Sequence, residues 1–556
     1  MARTTLSSMI TKLEYEKDAE GYLRLLLSVV VCIYCVILFF VLPLIVHDRY
    51  FDIGTFKYSV FFYSTLIMLA LCALLSLSYL FLRLIRKETD PVDLIEALRR
   101  VNMVDKAVVI YAICCIISYL MSPYNTGVLG YSDVVNPPLK GYPGWGMGLI
   151  SQLFFAGIYF AVSKFTDKAF RKLIMAAFYS GSLIAFMLAL LHRFSVDPFG
   201  FYEGISEYYK LLFLSTLGQA TWYSSYLCTI LPMALAMFIY EKRTRYRSFY
   251  AFYIMIASMS LVTQNSDSAY IALCAALLTL FVFALNSNNY FIRYFQLIVL
   301  ILLSFRLVGI LQLVFKDRAV MPGRLSLFFS TGTPMLIFTV IMVFLYLIYS
   351  LFQIKHGVSV RRLMILRTIV LVISGIIFVL AISILVLSAG GVYLPYFKDI
   401  EYFRFNDEWG SGRGFTWKVT LQMFKSLPFT GKLFGVGPDC FAEYAFEFRS
   451  EEMAAKWGSS VLANAHNEWL NTLFTLGLVG FISYLSIFFT AFVRFIRKKR
   501  ISALTIAGAA AIASYVSHNF FCYQQVLCTP YIFAIIALCI AFVAKPRPRR
   551  RQAVKK

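Results

Sequence analysis

Apolar runs long enough to cross a lipid bilayer recur along the whole chain, and no other feature restricts its fold so strongly. They fall near 25–46, 59–82, 107–121, 146–163, 173–191, 221–240, 249–263, 268–285, 293–315, 334–353, 367–388, 469–492, 502–521 and 527–544. Runs of about 18–23 apolar residues match a hydrocarbon core roughly 30 Å thick. There, each segment must pair its own backbone groups or join a closed barrel, and these runs lack the alternation of barrel strands. The expected fold class is all-α: a polytopic integral membrane protein with about 14 transmembrane helices, in a range of about 12–14. Composition agrees, because 60% of the 556 residues are hydrophobic and 17% aromatic, against roughly half apolar in soluble domains.

The formal net charge is +23, and its placement reads as topology rather than nucleic-acid binding. Basic clusters at Arg83–Arg100, Lys164–Lys172, Lys242–Arg247, Arg361–Arg367 and Arg494–Arg500 fall on alternate loops, and the tail Lys545–Arg551 joins the same side. The positive-inside bias makes that side cytoplasmic, with both termini inside; the tail is of the kind that docks on anionic headgroups. Lys316, Arg318 and Arg324 break the pattern by falling on an outer loop. The longest connection becomes one large extracytoplasmic loop before the antepenultimate helix. The expected organisation is a helix bundle at 1–388, the loop with catalytic elements at 389–466, C-terminal helices at 467–544 and a basic cytoplasmic tail at 545–556. About 24 mixed-charge residues precede the first run, unlike a cleavable leader. The eleven cysteines lie mostly inside apolar runs and form no metal or redox pattern; Cys522 and Cys528 flank a short turn and are the candidate disulfide pair.

Chemistry must then be built from the loop and the outer ends of helices. His466 lies in Asn464-Ala465-His466-Asn467-Glu468-Trp469, at the mouth of an apolar run. With Asn464 as N-cap, His466 falls in the first helical turn, where the helix dipole keeps its ring neutral and suited to general-base work. Asn467 and Asn471 share a face at i, i+4 and are candidates for a polar crevice; Glu468 lies on another face. Arg413 sits in Ser411-Gly412-Arg413-Gly414, a frame in which backbone N–H groups and a planar guanidinium can converge on an anion. Arg306, inside an apolar run, either binds a lipid phosphate or pairs with an acidic neighbour. Arg318, Arg324 and Arg404 are further candidates for the same anion. Trp409, Trp417, Trp457 and Trp469 are either sugar-stacking rings or interfacial anchors. Asp48 and Asp52 read as solvated loop charges.

These residues together resemble the O-antigen ligase and O-antigen polymerase family. His466-Asn467, nine residues, then Gly477-Leu478-Val479-Gly480 is similar to its histidine motif, and Ser411-Gly412-Arg413 through Trp417 to its arginine element. Pro428, Gly431, Gly435-Val436-Gly437-Pro438 and Phe441 resemble the continuation, and Leu217-Gly218-Gln219 an upstream turn. The sequence departs from the family at Asp267, which stands where many members carry an arginine; Arg306, Arg318, Arg324 and Arg404 are the candidate replacements.

The resemblance implies a bacterial plasma (inner) membrane glycosyltransferase. Its donor is a glycan on undecaprenyl or another polyprenyl pyrophosphate, and its acceptor a hydroxyl on a glycan, lipid or protein. It implies a single inverting displacement without metal or cofactor. His466 is the catalytic base, Arg413 the main pyrophosphate ligand with Arg324, Arg306 and Arg404 as secondary ones, and Asn467, Glu468 and Trp417 position the acceptor. Surface-polysaccharide polymerisation and ligation both fit, and Asp267 favours polymerisation. The alternatives are a lipid-linked-glycan flippase and a peptidoglycan glycosyltransferase of the shape, elongation and division family.

Overall fold

The computed structural model describes residues 19–85, 101–125, 136–356, 359–458, 462–497 and 502–543. The expected basic tail at 545–556 lies outside them, as do Arg86, Lys87, Arg99, Arg100 and Lys498–Arg500. The described residues are all-α apart from one two-stranded ladder, Phe213–Leu214 against Gly218–Gln219, which contains the Leu217-Gly218-Gln219 turn. Nine described helices are long and apolar enough to cross a membrane, and Leu149–Phe165, Ser268–Ala284, Ala503–His518 and Thr529–Val543 are shorter apolar ones. With the less apolar Thr244–Thr263, every apolar run has its helix.

Polar residues stop and join these helices. Asn102 caps Met103–Met121 by accepting from the Val104 and Asp105 amides, and Asp105 returns the bond to the Asn102 amide. Asp105 also accepts from Tyr159 Oη at 2.7 Å and Lys164 Nζ at 2.5 Å, which ties that end to Leu149–Phe165. The first helix, Ala19–Leu44, leaves carbonyls unpaired where the chain turns extended at Ile45. Buried Lys57 covers them, donating to Leu42, Pro43 and Ile45 at 2.7, 3.2 and 2.7 Å, as unsatisfied helix ends in an apolar setting demand.

Ala220–Tyr240 is the central helix, with nearly all its residues buried, whereas Val360–Ala389 buries only Leu363 and Ser388 among the described residues and presents apolar side chains outward. Small residues Ala507, Gly508 and Ala509–Ala511 of Ala503–His518 are buried; small side chains let membrane helices approach closely.

The long connection is a packed cap rather than an open loop. It holds helices Trp409–Ser426, Phe429–Phe434 and Phe441–Trp457. Phe415, Val419, Met423, Val436 and Phe441 form its core with Phe474 of the following helix. That helix, Glu468–Ile496, breaks at Gly477 (φ 69°, ψ −177°). The freed carbonyls of Phe474 and Thr475 accept from the amides of Val436 and Gly437 at 3.3 and 3.0 Å. Ser118 Oγ donates to the Thr475 carbonyl at 3.1 Å, and Ser122 Oγ to the Val436 carbonyl at 2.6 Å. Gly435 and Gly477 permit this backbone contact: a Cβ on Gly435 would lie 2.1 Å from the Thr475 oxygen, and one on Gly477 would lie 2.3 Å from Leu433 backbone atoms. Tyr142 and Met147 amides bond to Asp439, Tyr402 to Asp267 and Arg413 to the Phe521 carbonyl. The connections containing these residues therefore share one face of the bundle, as an alternating path through about 14 helices requires.

Gly477→Ala is expected to destabilise the protein by roughly 1–3 kcal/mol through backbone strain, with the clash adding to it, whereas Gly375→Ala, with no atom within 4 Å of its added Cβ, leaves stability unchanged. Thermal unfolding in detergent compares the two, and equal melting temperatures would contradict a tight break at Gly477.

Candidate functional site

His466 stands on the cap-side face just before Glu468–Ile496. It is not in the first helical turn, as the sequence suggested. Asn467 is the N-cap, accepting from the Trp469 and Leu470 amides at 3.0 and 3.1 Å. Asn464 instead accepts from the His466 amide at 3.0 Å, closing a tight turn with His466 at φ 48°. Asparagine oxygens cap helices and close such turns equally well, so the two asparagines are indistinguishable in this role from sequence alone. Asn471 accepts from the Ala465 amide at 3.1 Å and braces the turn from the next helical level.

The half-buried His466 ring packs edge to face on Tyr523, with centroids 5.1 Å apart. Among the described residues, neither ring nitrogen has a hydrogen-bond partner. Burial, and then the Arg413 guanidinium, pushes its pKa down to about 3. Desolvation and a nearby cation both oppose imidazolium, so the ring is neutral at ordinary pH and has a lone pair to offer.

Arg413 follows three consecutive left-handed residues, Gly410, Ser411 and Gly412, and the regular helix expected at 414–426 continues from it. Its Nη1 donates to the Gly410 carbonyl at 2.7 Å and its Nη2 to the Phe521 carbonyl at 3.1 Å. The Gly412 and Phe415 amides are taken by the Glu408 and Asp407 carbonyls, so these amides close the turn rather than frame an anion. Arg413 Nε, Trp417 Nε1 and Trp457 Nε1 are buried donors without partners among the described residues. Trp457 lies against Gly412, and Trp417 packs on Trp409 and Phe521 with centroids 5.3 and 6.0 Å away. Residues 521–523 thus touch both the arginine and the histidine.

The structure places the other candidates differently. Glu468 is buried and faces the bundle, accepting from Tyr484 Oη at 2.6 Å and Tyr515 Oη at 2.9 Å, and from Asn519. Asn467 is occupied by its helix cap. Trp469 is buried among Tyr484, Phe488 and Phe520, away from any sugar face. Arg306 donates to the Gly332 and Thr331 carbonyls at 3.1 and 3.4 Å and has no acidic partner among the described residues. Exposed Arg324 pairs with Glu401 at 2.8 Å, and Arg404 is exposed. Asp267 accepts from Tyr402 Oη at 2.8 Å; burial, opposed by that bond, raises its pKa, with Glu401 adding and Arg413 subtracting. A carboxylate therefore faces Arg413 from the position at issue. Cys522 and Cys528 are free. Asp52 is held by His47 at 2.9 Å and by the Asp48 amide at 3.1 Å.

Sequence reasoning missed Tyr523, Trp145, Trp222 and Gln524, and met Asp439 only as one of three outer-loop aspartates, with Asp399 and Asp407, of the alternative peptidoglycan-glycosyltransferase reading. Trp145 meets Trp222 and Tyr523 edge to face at 5.3 and 5.1 Å, and Trp222 Nε1 donates to Tyr523 Oη at 2.8 Å. They come from three separate connections and, for Trp222, from the first turn of Ala220–Tyr240, and carry no local motif; only folding gathers them.

Residues 319–485 match the family model described as O-antigen ligase. The match spans both the Arg413 element and the His466 motif and supports the O-antigen ligase/polymerase family for this chain. No match to the chain was found among curated proteins.

A neutral His466 is directly measurable. In nanodisc-embedded protein with 15N-labelled histidine, its ring, assigned by comparison with His466→Gln, is expected to stay neutral from pH 8 down to 5. The downward shift means that protonation begins only as the pH approaches about 3; a midpoint near 6.5 would show that burial and Arg413 do not act on it.

Proposed function

We propose, from the place of residues 319–485 in the O-antigen ligase family, that this chain is a multi-pass bacterial plasma-membrane glycosyltransferase. It moves a glycan from undecaprenyl pyrophosphate, or another polyprenyl pyrophosphate, to an acceptor hydroxyl at the outer face. The carrying observation is a half-buried imidazole with no hydrogen-bond partner among the described residues, close to the half-buried Arg413 guanidinium that acts on it. In this reading the cap and the termini lie on opposite sides of the membrane, with both termini cytoplasmic.

The reaction needs one group to take a proton and one to receive negative charge. His466 removes the acceptor hydroxyl proton as its oxygen attacks the anomeric carbon. The bond to the pyrophosphate oxygen breaks on the opposite side, which inverts the anomeric configuration. Arg413 stabilises the charge on the departing lipid pyrophosphate, and the unpartnered indole N–H groups of Trp417 and Trp457 are donors close by. A fixed cation at low dielectric stabilises such developing charge strongly. The mechanism needs no metal, because pyrophosphate is already a good leaving group. Arg324 is a second, exposed cation for the lipid headgroup. Asp267 beside Arg413 favours repeat-unit polymerisation over ligation, since the family's usual arginine is replaced there by an acid.

Transfer from a labelled undecaprenyl-pyrophosphate oligosaccharide by purified protein in nanodiscs tests this. A product ladder is expected from donor alone; transfer only after addition of a lipid or protein acceptor identifies a ligase. His466→Ala is expected to lose about 100-fold or more in kcat with an unchanged melting temperature, and full activity would remove the base. Arg413→Lys is expected to lose about 100-fold, because an ammonium does not reproduce the planar fork; normal turnover would exclude a bidentate phosphate contact. Donor crossing the bilayer without transfer would mean a flippase.

A further inference from the structure

A small polar cavity shares a wall with His466. Its lining includes Tyr523, on which the His466 ring packs, and Asn464, which holds the His466 amide. Its volume is about 20 Å³, enough for one water-sized group. Arg413 is not part of its lining, so it is separate from the anion site.

Two facing chemistries meet there. Asp439 Oδ2 accepts from the Tyr142 and Met147 amides at 2.8 and 2.9 Å, which fixes the carboxyl. Its Oδ1 has no hydrogen-bond partner among the described residues. Gln524 Oε1 accepts from Gln152 Nε2 at 2.8 Å. Gln152 is itself oriented, donating to the Met147 carbonyl at 2.8 Å and accepting from Tyr111 Oη at 2.5 Å. That chain sets the Gln524 amide with its oxygen bound, commits the nearby Tyr111 hydroxyl proton to Gln152, and leaves Nε2 a buried donor without a hydrogen-bond partner among the described residues. A buried, unpaired donor costs stability, and this one shares the lining of a polar cavity with an open carboxyl oxygen.

We propose that this cavity is a subsite for one hydroxyl group of the acceptor sugar, which donates to Asp439 and accepts from Gln524. A hydroxyl both donates and accepts and is small enough for the space. A phosphate would meet a carboxyl group, which assigns the cavity to the acceptor rather than to the lipid pyrophosphate. The inference rests on the glycosyltransferase reading above and adds how the acceptor is chosen: a site built to bond a hydroxyl rejects the analogue that lacks it.

The test uses the full-length protein in nanodiscs, the labelled undecaprenyl-pyrophosphate oligosaccharide as donor, and methyl glycosides of hexoses and N-acetylhexosamines with their monodeoxy analogues as acceptors. Wild type is expected to lose about 100-fold or more in kcat/KM for one monodeoxy position of an accepted sugar. Gln524→Met is expected to raise the acceptor KM about 10-fold or more, leave the donor KM unchanged, and erase the penalty for that same deoxy position. Asp439→Asn keeps an oxygen for the two backbone amides and is expected to show the same loss of discrimination. It serves as the second variant should Gln524→Met fail to fold. Equal deoxy penalties in wild type and variants, or a fall in kcat alone, would overturn the subsite and leave a cavity that holds water only. Absence of any glycan transfer by wild type, whether to a second donor molecule, a glycoside or a lipid acceptor, would instead overturn the glycosyltransferase reading, and the subsite with it.

Discussion

Two stretches of backbone meet where the Glu468–Ile496 helix opens at Gly477, and the functional face depends on that junction. A break in an apolar helix leaves carbonyls that the surroundings must pair. Here the Val436 and Gly437 amides pair them, so the cap is joined to the bundle by main chain rather than by side chains alone. The residues placed by this junction are those of interest. Asp439 lies two residues beyond Gly437, and His466 sits one short turn before the helix that opens. The spacing from His466 to Gly477 thus has a structural meaning: it is the length of helix between the imidazole and the point where the cap is fastened.

Electrostatics at the site follow from burial and from what is missing near the histidine. In many catalytic arrangements a carboxylate raises the basicity of the imidazole. The nearest acid in sequence, Glu468, is turned into the bundle and held by Tyr484, Tyr515 and Asn519. Arg413 acts on His466 instead. The outcome is a weak base that rests neutral at ordinary pH, beside a guanidinium that stays charged. This suits a reaction whose leaving group is good and whose main demand is to receive negative charge while a hydroxyl loses its proton late. Asp439, its pKa pushed up to about 7 by burial against the opposing Tyr142 and Met147 amide bonds, occupies a neighbouring cavity.

Much of this was legible in the sequence, for identifiable reasons. The apolar runs announced helices because a bilayer allows little else, and basic loop clusters announced an alternating path. The His466 and Arg413 motifs were visible because they are compact in sequence. What was read wrongly was short-range and degenerate: Asn464 and Asn467 both fit an N-cap, and the choice between them moved His466 out of the helix. Glu468 and Trp469 looked available to substrate because they adjoin His466, yet a helix turns each successive side chain by about 100°, which points both into the bundle. Arg306 looked like an anion ligand, but nearby carbonyls at Thr331 and Gly332 already occupy it.

By itself, then, the sequence determined the class of fold, the order of the apolar helices, and the two side chains on which the proposed chemistry rests. Each of these is written locally, as run length, charge or a short motif. Tertiary structure alone decided which asparagine caps, where the helix opens, and that Trp145, Trp222, Asp439, Tyr523 and Gln524 gather around His466. Those residues are far apart along the chain and share no pattern. They meet because backbone groups freed inside an apolar environment had to find partners, and the partners lay in the cap.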